Sequence, residues 1–65
     1  MNPYTQIPFL ALLILEEEYM ALRGAAERRR IQANHAGLYK EAEVFSKDID
    51  FFTEHLRMVS EVTGR

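Results

Sequence analysis

A chain of 65 residues with no cysteine, 28% charged residues and a net charge of −2 holds one domain, and disulfides and thiolate metal sites are excluded. The charge gives no global attraction to nucleic acid or to an anionic membrane, so binding of either kind needs a local patch. A domain this small buries only about 60% of the surface its unfolded chain exposes, which leaves its own core marginal and makes oligomerisation the available supplement.

Both prolines lie in the first eight residues and only three glycines occur, so little interrupts helix formation further on. An all-α class follows, in the form of a two-helix antiparallel hairpin that self-associates into a helical bundle, either a dimeric four-helix bundle or a larger oligomer. The single domain spans residues 1–65.

Thr5 is placed to cap helix 1, with Pro8 in the first turn where its missing N–H has no intrahelical partner. The helix is expected from about Gln6 or Ile7 to Ala33. The run Phe9 to Leu15 (FLALLIL) resembles a signal-peptide core, yet no basic residue precedes it and Glu16, Glu17 and Glu18 follow at once. It is also too short to span a bilayer. A cytoplasmic protein without a membrane partner is the expectation. Gly24 costs about 1 kcal/mol relative to alanine inside a helix, a cost that packing offsets or that a close helix contact explains.

The segment Asn34, His35, Ala36 and Gly37 is the one interior turn signal. Beyond it Leu38, Ala42, Phe45, Ile49, Phe52, Leu56 and Val59 recur at alternating steps of four and three, the spacing of an apolar heptad seam, over a second helix of about 38–62. Helix 1 mirrors this with Leu12, Leu15, Tyr19, Leu22, Ala26, Arg29 and Ala33. Folding about the turn pairs Leu12 with Val59, Leu15 with Leu56, Tyr19 with Phe52, Leu22 with Ile49, Ala26 with Phe45, Arg29 with Ala42 and Ala33 with Leu38. Small residues then face large ones near the turn, and Arg29 sends its guanidinium past the edge. The same register sets Arg30 opposite Glu41, Arg28 opposite Glu43 and Arg23 opposite Asp48. Local pairs Glu43 with Lys47 and Glu61 with Arg65 add small support.

Outside the seam a second stripe recurs on both helices: Phe9, Leu13 and Met20 on the first, and Val44, Phe51, Met58 and Val62 on the second. These seven residues form the expected oligomer interface, because the stripe is too large for a lone soluble chain. At about 1.5 to 3 kcal/mol per large apolar side chain buried, half a dozen per copy outweigh the cost of association.

No glycine-rich phosphate loop, cysteine nucleophile or Ser, His and acid set is present, so an enzyme is not expected. His55, beside Phe51 and Phe52 on a partly apolar face, reads as a boundary residue of the bundle rather than a base. Neither histidine follows a glutamate at the spacing of di-iron bundles, and Glu16, Glu17 and Glu18 point across about 200° of helix surface, so neither metal nor cofactor is implied. Arg23, Arg28, Arg29, Arg30, His35 and Lys40 gather toward the turn, with Tyr39 beside them. Guanidinium forks and an aromatic plane suit phosphate and base recognition.

The leading expectation is a small non-enzymatic, homo-oligomeric binding protein that regulates or inhibits another macromolecule, a role filled by phage-type and mobile-element-type small proteins. The alternative is an oligomeric sponge for an anionic nucleotide held in basic pockets between protomers. A further alternative is an RNA-binding hairpin dimer.

Overall fold

The computed structural model describes all residues from Met1 to Arg65. Two helices, α1 (Phe9–His35) and α2 (Tyr39–Thr63), pack against each other as an antiparallel hairpin. No helix is long and apolar enough to cross a membrane. The molecule is a rod of 42 × 21 × 15 Å.

Helix α1 starts at Phe9, later than Gln6 or Ile7, and Thr5 is not its cap. Pro8 stands at the N-cap with ψ 145° and no side chain closes the helix end. Ile7 precedes Pro8, whose ring steers the residue before it away from the helical region, so a helix through Ile7 is disfavoured. The first residues form turns instead. The Thr5 hydroxyl donates to the Asn2 carbonyl at 3.1 Å, and the Tyr4 N–H donates to the Asn2 side-chain oxygen at 2.9 Å.

The turn itself is tight. Gly37 has φ +75°, which an L side chain rarely adopts. The Leu38 N–H donates to the Ala33 carbonyl at 2.8 Å and the Gly37 N–H to the Asn34 carbonyl at 3.1 Å, the paired bonds of a Schellman motif. They satisfy carbonyls that the end of α1 would otherwise leave open, and they send the chain straight back.

The seam register places Tyr19 against Phe52, with ring centroids 5.9 Å apart. Leu12 and Val59, 1% and 0% exposed, are the largest fully buried side chains. Ala26, Ala33 and Ala42 are buried as well. Leu22 and Leu38 depart from the expected seam, being about half exposed. Leu38 lies at the N-cap of α2 outside the helix proper. Alanines also fill little volume, so the turn end does not interdigitate as expected: a groove of about 400 Å³ remains between Arg29, Ala33, Ala36, Leu38, Glu41 and Phe45.

The core sits at the opposite, open end. Tyr4, Leu12 and Val59 form a buried cluster against which Ile7, Leu15, Tyr19, Met58 and Val62 pack. Tyr4 is delivered by the N-terminal arm, which folds over α2 and is fastened by the Asn2 amide donating to the Met58 carbonyl at 2.7 Å. Its hydroxyl lies 2.5 Å from His55 Nδ1 and 3.0 Å from the Tyr19 hydroxyl. A phenol hemmed in this way resists ionisation. Burial, with the Tyr19 hydrogen bond adding to it, pushes the Tyr4 pKa up to about 12 from 10.0.

Below pH 10 Tyr4 is neutral whether the chain is folded or not, and the full stabilisation is present. Above it the unfolded chain releases the proton first, so the contribution is lost as pH rises through 12. Tyr4→Phe should therefore flatten the fall in stability between pH 10 and pH 12, measured by urea unfolding across that range. Equal slopes for parent and variant would show that Tyr4 ionises freely.

Candidate binding surface

Two surfaces have the chemistry of recognition, and the hairpin presents them differently. The first is apolar. Only six of the 65 residues are buried, whereas eleven large apolar residues are exposed. The accessible surface is 4803 Å², against about 4,300 Å² for a compact monomer of 7.6 kDa. Within the stripe expected to join copies, Phe9, Met20, Val44 and Phe51 are about half exposed, and Leu13 is partly covered. Met58 and Val62 are drawn partly into the chain's own cluster with Tyr4. Their free area is smaller than helical spacing implies.

The second surface is basic. None of the three expected interhelical pairs, Arg30 with Glu41, Arg28 with Glu43 or Arg23 with Asp48, is formed. The ion pairs of the molecule are Arg57 with Glu54, Arg57 with Glu61, and Arg65 with Glu16 at 3.3 Å. Glu43 with Lys47 and Glu61 with Arg65 do not pair either. Glu61 finds Arg57 one turn earlier on the same helix face, and Arg65 reaches across to α1 instead. On an exposed flank, ordering two long side chains costs entropy that high dielectric leaves uncompensated, so register alone does not close a pair.

Arg23, Arg28, Arg29 and Arg30 are therefore without a carboxylate partner. Within one chain they do not converge. Successive residues turn by about 100°, and Arg23 lies about 18 Å along the axis from His35. Of the basic residues only Arg29 lines the groove at the turn end, facing Gln32 and Glu41 over an apolar floor. His35, Tyr39 and Lys40 are exposed beside the turn. A single chain thus presents separate guanidinium groups, not a closed anion pocket. No group of three or more histidine or carboxylate side chains comes together in a way that could hold a metal ion.

Sequence periodicity missed Tyr4, which completes an aromatic cluster at the open end. Tyr4 makes edge contacts with Tyr19 and His55, at 6.4 and 5.7 Å between centroids, and His55 stacks on Phe51 at 4.1 Å. His55 is half-buried, held between Phe51 and the Tyr4 hydroxyl. The available signal was compositional: an aromatic next to Pro3 ahead of the first helix, in a chain short of core.

No protein-family model, curated protein or solved structure matches this chain.

Proposed function

We propose that this chain is a non-enzymatic, homo-oligomeric binding protein, a helical bundle that acts by occupying another macromolecule as a regulator or inhibitor. The observation that carries the reading is the imbalance between six buried residues and eleven exposed large apolar ones. An excess of exposed over buried apolar side chains favours association, which would cover part of them. Native mass spectrometry of protein purified from its host tests this. The expected species are multiples of 7.6 kDa with a retained macromolecule, and a bare monomer would contradict it.

The unpaired arginines favour a second reading. Four guanidinium groups without carboxylates are available to an anion, and symmetry would bring copies of them together. In this reading the oligomer sequesters an anionic nucleotide in basic pockets between protomers. RNA is the larger ligand with the same chemistry.

Replacing Arg23, Arg28 and Arg30 together by glutamine should leave the hairpin itself nearly unchanged, since the substitutions break no ion pair within the chain. Melting of parent and variant is compared with and without a panel of nucleotides and short RNAs. A ligand that binds only the folded state raises the melting temperature, so stabilisation of the parent alone supports the anion site. Equal responses of parent and variant would remove it. A steep loss of affinity with salt indicates RNA, because many counterions are released, whereas a compact nucleotide gives a shallow one.

A further inference from the structure

Gly24 sits in the middle of α1 with no reason within the chain to be glycine. It does not have a positive φ, and an added Cβ would meet only Arg28 Nη1, at 3.5 Å, an ordinary contact. A helix interior disfavours glycine, by about 1 kcal/mol relative to alanine. The hairpin would accept alanine there. What glycine supplies and alanine does not is a recess that another chain can enter closely.

The surroundings say what approaches. Leu13, Met20, Gly24 and Ile31 follow at steps of seven, four and seven, so they share one flank of α1. Met20 is 54% exposed, Ile31 is also about half exposed and Leu13 is partly so. The stripe continues to Phe9 at the helix start. Polarity along the helix fixes the direction of a like partner. The first half of α1 has Glu16, Glu17 and Glu18 and no cation, while the second half has Arg23, Arg28, Arg29 and Arg30 against Glu27 alone. Two such helices side by side and parallel would set acid against acid and base against base. Antiparallel, each acidic half meets a basic half.

We infer that α1 is the self-association element and that it packs antiparallel against α1 of a second copy, with Gly24 as the point of closest approach. In the register this implies, paired residue numbers add to 44. Leu13 meets Ile31 of the other copy, and Met20 fills the space over the other Gly24. The large side chain and the absent one are complementary, and the twofold axis passes level with residue 22, between Met20 and Gly24 on the shared flank. Such an interface is isologous, the same patch on both copies, and it closes. This inference rests on the self-association reading and adds to it the surface, direction and register.

The chain's lack of cysteine makes the register measurable. Two single variants, Leu13→Cys and Ile31→Cys, are mixed and oxidised with oxidised glutathione. A disulfide needs Cα atoms within about 7 Å, and in the proposed pairing two copies of residue 13 lie about 27 Å apart along the axis. The mixture should therefore link into a covalent dimer while each variant alone does not. In parallel, Gly24→Leu should keep its helix content by circular dichroism, yet raise the concentration needed for assembly by at least about tenfold. An oligomeric parent whose single variants link as readily as the mixture, or one that keeps its mass with Gly24→Leu, overturns this pairing while self-association stands. A parent that stays monomeric overturns both.

Discussion

Leu12→Ala should unfold the isolated chain or reduce it to a loosely collapsed state at room temperature. Leu12 is 1% exposed and lies in the cluster with Tyr4 and Val59, the main core of the molecule. Truncating a buried leucine costs about 2 to 5 kcal/mol, through lost transfer energy plus a cavity that its neighbours fill only in part. A domain of this size has little more than that in total. Urea unfolding followed by circular dichroism reads the change. A midpoint equal to the parent's would mean that the open-end cluster does not hold the hairpin together.

Tyr4→Ala is expected to have an effect of similar size from a residue outside both helices. Tyr4 is 7% exposed, packs edge-on against Tyr19 and His55, and bonds to both through its hydroxyl. Removing the ring should cost about 3 to 5 kcal/mol, the range for a buried aromatic, and free the N-terminal arm from α2. Tyr4→Phe keeps the ring but leaves Tyr19 and His55 without their shared partner, a loss of about 1 to 2 kcal/mol. The ordering parent, Tyr4→Phe, Tyr4→Ala in melting temperature is the result to look for. If Tyr4→Ala melted with the parent, the arm would be an ornament on a hairpin that is stable without it.

The two helices were legible because each rests on repetition. The four-three spacing through Phe52 and Val59 over-determines α2, and the mirrored series in α1 leaves one register about the turn that sets Tyr19 against Phe52. Gly37 was legible as punctuation, and its left-handed backbone explains why.

What escaped has no period. Tyr4 reaches the core through an irregular arm, so no spacing rule applied to it, and the helix began late because Pro8 restricts Ile7. The charge pairing failed for a different reason. Opposition of Arg28 and Glu43 in register says only that the side chains start near one another. Solvation and side-chain entropy decide whether they meet, whereas Arg57 lies within one helical turn of both Glu54 and Glu61. The groove behind Arg29 was hidden too, because small residues read as good packing opposite large ones until Leu38 is seen to turn half outward.

We propose that one hairpin is an incomplete core that a second copy completes. Light scattering coupled to size exclusion, on the full chain at micromolar concentration, tests it most directly. It predicts a mass at least twice the 7.6 kDa of one chain, falling on dilution together with the melting temperature. A 7.6 kDa species that melts cooperatively at a temperature independent of concentration would contradict it.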